Sequence, residues 1–372
     1  MPSIEAHALA GASASESALD QMLQGDPLAR WLLRWRVPPA GLAAIVMAYG
    51  AFHALLVPLA YGLLRSRGGV LGALDDWPYI VMAVGVVPLL ASYYAWQPAT
   101  IQAVYAGIAS RFAGDAAAAR RTAELARPFG WGGWAWLALA IAAVQVLSWI
   151  YDLSRVTVPN WLALNPVTIG TAQPIRFVSF YFVVYVLGRQ IVTLFGLNRF
   201  FAQFSVDIAP VHPDRAGGLR VLGDYVLSSG LLLAILGSIF GMTFLRSWTN
   251  PGVLTPEFYL ELVTYCLLAP ILFFVPLWSV HKRMVAARQR LLVEIAEQFD
   301  QEYRALFDNL RRNVLAPEAV THLEAVQKIY HIADAAPVWP FDLQTLSKFG
   351  AVVFLPILVP LGVDLLAGLL TR

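Results

Sequence analysis

Seven runs in this chain are long and apolar enough to cross a bilayer: Pro39–Leu64, Trp77–Trp96, Trp131–Tyr151, Ile175–Asn198, Val221–Leu245, Glu257–Val280 and Gly350–Leu370. A helical span takes about 20 apolar residues. In lipid each backbone polar group must be satisfied inside the segment, so runs of this length are expected to be helices. Composition agrees. Hydrophobic residues make up 58% of the chain and charged residues 13%, where a soluble domain carries roughly 25% charge. A water-facing surface of this size cannot be built from that material. A soluble enzyme and a disordered scaffold are excluded, and a transmembrane β-barrel, with its short alternating strands, does not fit. The expected class is an all-α polytopic membrane protein with about seven transmembrane helices.

Trp77, Tyr79, Tyr93, Tyr94, Trp96, Trp131, Trp134, Trp149 and Tyr151 mark the ends of the second and third runs, at the depth where aromatic belts form. The connecting segments alternate in cations. Nineteen Lys and Arg fall on the side of residues 1–38, 97–130, 199–220 and 281–349, six on the other, and Arg189 inside a span. The positive-inside rule places the N-terminus in the cytoplasm and the C-terminus outside. The chain then divides into a cytoplasmic N-terminal segment (1–38) and a six-helix transmembrane region (39–280) with an amphipathic cytoplasmic helix near 99–126. A cytoplasmic helical hairpin (281–349) and a seventh transmembrane helix (350–372) follow. Residues 1–20 lack the basic start and apolar stretch of a secretory signal, so the first span is expected to be retained.

No glycine occurs between Gly252 and Gly350, and no proline between Pro276 and Pro317. The sixth span is therefore expected to continue unbroken beyond the membrane. Val285, Leu292, Ile295, Phe299, Tyr303, Leu306 and Leu310 then follow one helical face, and Val320, Leu323, Val326, Ile329 and Ile332 repeat the pattern after Pro317. Such a stripe needs a partner, either a hairpin within the chain or the same region of a second subunit. Ile101, Tyr105, Ile108 and Phe112 form a third stripe after Pro98.

Three constellations bear on chemistry. Tyr181, Tyr185, Arg189 and Thr193 lie four apart in the fourth span, beside Gln190. An arginine there costs about 2.5–3.5 kcal/mol to insert, so it lines an ion path or pairs with a carboxylate such as Asp224. Asp364 is the lone ionisable residue of the seventh run, after Pro356 and Pro360, and reads either as a site for cation binding or proton transfer or as a carboxylate solvated near the outer interface. His212, Asp214, Arg215, Gly217 and Gly218 form a loop between the fourth and fifth spans, readable as an anion-holding nest or as a tight capped turn. Gly237 and Gly241 form a GxxxG that favours close helix contact. Tyr49 with His53, and Gln145 with Ser148 and Asp152, read as polar packing. His322 and His331 are spaced badly for a metal site. No hydrolase, zinc or phosphate-loop motif occurs, and Cys266 stands alone. The reading is non-enzymatic, without cofactor or metal. The near-zero net charge of +2 leaves no nucleic-acid footprint.

The string Val211-His212-Pro213-Asp214-Arg215-Ala216-Gly217-Gly218-Leu219, with Trp339-Pro340-Phe341-Asp342, resembles a pattern found in uncharacterised bacterial multi-pass membrane proteins. The resemblance covers a small fraction of the chain and implies an inner-membrane location without an activity. By topology alone the chain is similar to insect odorant receptor channels, which have a cytoplasmic N-terminus, seven spans and long helices projecting inward. The Thr-Tyr and Gln-Phe signature of that family's last helix is missing here. These features favour a homo-oligomeric ion channel or pore assembled through its cytoplasmic helices, passing a small ion across the lipid bilayer. The alternative is a membrane sensor or assembly subunit. A transporter, or a membrane enzyme using the 212–218 loop, ranks below both. Cysteine labelling should reach positions near Gly69 and Asn250 from outside and positions near Ala118 and Gln301 from inside; the reverse pattern overturns the orientation.

Overall fold

The computed structural model describes residues 19–111, 124–153, 159–203, 220–249, 253–311, 317–336, 338–339 and single helical positions within 347–362. Among them the secondary structure is helical, apart from isolated bridges between Arg67 and Val70 and between Leu71 and Asn160. We number the helices α1 Pro27–Arg34, α2 Pro39–Ala60, α3 Trp77–Ile108, α4 Gly133–Leu153, α5 Pro166–Gln203, α6 Arg220–Arg246, α7 Pro256–Arg311 and α8 Pro317–Asp334. Six of them, α2 to α7, are long and apolar enough to cross a membrane. Most of the expected seventh span, Asp364 included, lies outside the described residues, as does the loop from His212 to Gly218.

Proline sets many of the starts. Helices α1, α2, α5, α7 and α8 begin on Pro27, Pro39, Pro166, Pro256 and Pro317, where a missing N–H costs nothing because the first turn has no acceptor for it. Inside the membrane proline acts differently. The first two spans each contain one π-helical turn, Phe52–Leu56 and Met82–Val86. Each ends at a Val-Pro pair, Val57-Pro58 and Val87-Pro88. Proline cannot bond the carbonyl four residues back, and its ring pushes that carbonyl aside. The preceding valine N–H then reaches back five residues, to Phe52 O and to Met82 O. This widening is how a helix absorbs the defect without breaking.

The π-turns lie where α2 and α3 meet. A Cβ at Gly50 would stand 2.3 Å from the carbonyl oxygen of Ala83, so only glycine lets the two backbones approach this closely. Helices α3 and α5 form the centre and touch each other. Helices α2 and α4 pack on one side, α6 and α7 on the other. Helix α4 buries little besides its face toward α5, and Trp136, Val144 and Leu147 stay exposed, as lipid-facing side chains do. Below, the near end of the bundle is the one holding α1, and the far end is the one holding the 61–76 and 159–165 connections. The far-end connection is folded: Ala73 and Leu74 N–H donate to Leu63 and Leu64 O, both at 2.9 Å. Ser66 donates twice to Asp75, at 2.5 and 2.8 Å, which holds that carboxyl below its usual range.

Helix α7 continues past the bundle as one rod of 56 residues. Its projecting part folds against α8 as an antiparallel hairpin within the chain. Ile295, Val326 and Ala333 form its core with Leu291, Leu292 and Phe299. Arg288 pairs with Asp334, and His322 Nδ1–H donates to Glu302 at 2.6 Å, lowering that carboxyl's pKa. One member of the expected apolar stripe falls outside the interface: Tyr303 is 49% exposed, while Leu306 beyond it is half-buried. Steps of four residues drift by about 40° each, so a row begun at Ile295 and Phe299 has turned out of the interface by Tyr303. Likewise the stripe after Pro98 is no separate amphipathic helix over its described part. Helix α3 runs through Pro98, with Ile101, Tyr105 and Ile108 buried against the bundle.

The beginning of the last apolar run is docked. Val353 is fully buried, and the Tyr265 hydroxyl lies 3.1 Å from its carbonyl and 2.8 Å from that of Leu233. Gly237 faces this contact, with the Tyr265 oxygen 2.8 Å from a would-be Cβ. Trp339 stacks on His281 at 4.0 Å, while His281 Nδ1–H donates to Val338 O at 2.8 Å. Replacing Gly50 by Ala should cost about 1–3 kcal/mol through the forced backbone shift. Gly85→Ala, in the π-turn of α3 with open space around it, should leave the thermal midpoint in detergent nearly unchanged. Equal midpoints for both variants would show that the α2–α3 contact tolerates a methyl group.

Candidate functional site

The largest buried charge sits near the crossing of α3 and α5. Arg189 is 3% exposed, and its partner is Asp26, at 0%. Asp26 lies in the segment before α1 and serves as that helix's cap, accepting from Leu28 N and Ala29 N at 3.1 Å each. The same carboxylate accepts from Arg189 Nη2 at 2.6 Å, Tyr94 OH at 2.5 Å and Tyr181 OH at 3.0 Å. Five donors thus converge on two oxygens, as a buried carboxylate requires. Tyr185 OH donates to Gly25 O at 2.7 Å. Gly25 itself is wedged: a Cβ there would lie 2.0 Å from Phe129 O.

The second hydrogen bond of Arg189 has its origin in a proline. Pro98 has no N–H for the carbonyl of Tyr94, four residues back. Arg189 Nη1 donates to that carbonyl at 3.2 Å. The guanidinium also lies 4.9 Å from the Tyr94 ring centroid and 5.4 Å from that of Tyr185, within cation–π range. Tyr181, Tyr185, Arg189 and Thr193 are therefore all buried on one face of α5, as their spacing indicated. Asp224 does not join them. It is exposed on α6, because the faces of α6 that meet α3 and α7 carry Leu222, Tyr225 and Val226 instead. Beside the ion pair, Gln190 ties three helices together. Its Oε1 accepts from Gln97 Nε2 at 3.2 Å and Tyr225 OH at 3.0 Å, and its amide bonds Ser229. Gln97 Oε1, Tyr105 OH and Thr193 Oγ1 are enclosed here, and none has a hydrogen-bond partner among the described residues.

A second ion pair closes the far end. Asp76, fully buried, accepts from Arg246 Nε at 2.8 Å, Arg246 Nη2 at 2.8 Å and Trp161 Nε1 at 3.2 Å. The Arg246 guanidinium lies 4.9 Å from the Tyr79 ring centroid. Tyr79 OH and His53 Nε2 are 3.0 Å apart, and His53 Nδ1 and Thr171 Oγ1 are 2.8 Å apart. The Thr171 hydroxyl donates to Val167 O at 2.8 Å, so it accepts from His53 Nδ1–H, and Nε2 accepts from Tyr79. His53 occupies the first π-turn, which aims the ring inward between Tyr79 and Trp161. Sequence reasoning treated Tyr49 and His53 as packing groups. It did not connect them to Asp76 and Arg246, because loop and helix end meet only in the fold.

The crevice beside Arg189, lined by Met22, Phe129, Trp134 and Tyr185, measures about 10 Å³, room for one water. Among the described residues no group of three His, Cys, Asp or Glu could hold a metal ion. The arrangement joins elements distant in sequence and neutralises two arginines. No family model, curated protein or solved structure matches this chain. Truncating one member of a buried pair costs about 3–5 kcal/mol, because the other charge is left uncompensated. Asp26→Leu and Arg189→Met should each lower unfolding stability by that amount. The double variant Asp26→Leu with Arg189→Met should cost less than either. Additive losses in this cycle would show that the two side chains do not interact.

Proposed function

We propose that this membrane protein is a homo-oligomeric ion channel of a bacterial inner membrane, with its path between subunits rather than through one bundle. The supporting observation is the sealing of the single chain. Arg189 is neutralised by Asp26 next to a crevice of about 10 Å³, and Arg246 is neutralised by Asp76 at the opposite end. In this reading the two neutralised pairs leave no free charge in the bundle interior to draw an ion through one subunit. The last apolar run begins in the groove of α6 and α7, with Val353 against Tyr265. In this reading its continuation carries Asp364 toward neighbouring subunits, where a ring of carboxylates would select cations. The hairpin of α7 and α8 leaves Tyr303, Phe307, Ile329 and Ile332 exposed, and these side chains would hold subunits together on the cytoplasmic side.

The same exposed hairpin favours the second reading, a sensor or assembly subunit that docks a partner there. The two readings separate in reconstituted liposomes. The channel predicts ion flux above empty vesicles, and Asp364→Asn should reduce cation selectivity while the protein elutes as the same oligomer. No current under varied voltage, pH and osmotic tension would remove the channel and leave the docking reading.

A further inference from the structure

Helix α1 has two unlike sides. Ala29 and Leu32 are buried with Met22 against the bundle, and Asp26 anchors the helix start to Arg189. The other side shows two parallel rows. Arg30 and Arg34 are four apart and exposed, with Arg36 exposed just beyond. Trp31 and Trp35 are also four apart, 51% and 66% exposed, with ring centroids 6.2 Å from each other. None of the three arginines forms an ion pair among the described residues. Tryptophan is costly to leave in water, and three adjacent unpaired cations repel one another, so this side calls for an occupant that is apolar and anionic at once.

Connectivity says where that occupant lies. Only residues 35–38 separate α1 from the first span. Arg36 takes a left-handed turn, φ 51°, which reverses the chain into Pro38 and Pro39. With the first span starting at Pro39, this short link would hold α1 at the depth where the bilayer's headgroups begin. A second element stands at the same level. The turn Arg127–Gly130 packs closely against Gly25 at Phe129 O, and it presents exposed Arg127 and Trp131. Arginine at this depth bonds phosphate through its planar fork, and tryptophan prefers the boundary between headgroup and acyl chain.

We propose that the outer side of α1 is a binding surface for anionic phospholipid headgroups, with Arg30, Arg34 and Arg36 on the phosphates and Trp31 and Trp35 among the upper acyl carbons. The surface is rigid before lipid arrives, because the buried side is already seated. Its hold on lipid is passed straight to Asp26, the cap of the same two-turn helix. The proposal needs only a membrane-spanning chain and does not depend on the channel reading.

The test uses the full-length protein in detergent, titrated with phosphatidylglycerol or phosphatidylcholine, with bound lipid counted by native mass spectrometry and the thermal midpoint followed in parallel. Phosphatidylglycerol should be retained and raise the midpoint, less so as salt rises, while phosphatidylcholine should do neither. Arg30→Gln, Arg34→Gln and Arg36→Gln together should weaken phosphatidylglycerol retention by about tenfold or more. Trp31→Ala with Trp35→Ala keeps the cations and should weaken retention in part. Inorganic phosphate and glycerol phosphate should not compete at millimolar concentration. Equal retention of both lipids by the wild type, or unchanged phosphatidylglycerol retention by the triple variant, would overturn the proposal. Competition by inorganic phosphate would make this a free-anion site and overturn the lipid assignment.

Discussion

A guanidinium inside an apolar bundle has to be answered by a carboxylate, and much of this structure follows from how that demand is met. Among the described residues no acid of the fourth span or its neighbours reaches Arg189. The answer comes from Asp26, on a segment that a hydropathy reading leaves outside the membrane. To bring it there, the chain before the first span must fold under the bundle. That explains why α1 is seated on Ala29 and Leu32, why Gly25 has no room for a side chain, and why Phe129 and Trp134 close around the same point.

Defects in the helices are used in the same way. Three prolines interrupt the hydrogen-bond ladders of the first two spans, and each interruption has a consequence. Pro98 releases the Tyr94 carbonyl to Arg189. Pro58 and Pro88 each follow a π-turn, and the widened backbone there aims His53 into the far-end cluster and accompanies the close contact at Gly50. Proline is tolerated in spans where neighbours re-satisfy the freed groups, and here the partner can be named for one of the three.

The long apolar runs were legible because hydropathy acts locally, and six of them are spans by length and composition. The unbroken run of α7, the sixth span, was legible for a similar reason: between Pro276 and Pro317 no proline or glycine stops it. The polar face of α5 could be read from its four-residue spacing. The partner of Arg189 could not. Asp26 stands 163 positions away, and its one local mark, an aspartate before proline at a helix start, signals a cap. Asp224 was nearer in sequence but points away, since which face of α6 turns inward is decided by Leu222 and Tyr225. The Val-Pro pairs were visible, yet the π-turn they induce depends on the neighbouring helix that accommodates it. Asp364 and the His212–Gly218 loop fall outside the described residues.

The order of the ion-pair partners along the chain bears on how the protein is made. In both buried pairs the acid is synthesised first: Asp26 precedes Arg189, and Asp76 precedes Arg246. During membrane insertion each arginine therefore emerges when its counter-charge already waits at the bilayer surface, on the side where that arginine must settle. The fourth and fifth spans need not carry an unanswered cation through the assembly stage. In the opposite order a buried arginine would have to wait for a later carboxylate. The sequence of synthesis thus supports the sequence of burial.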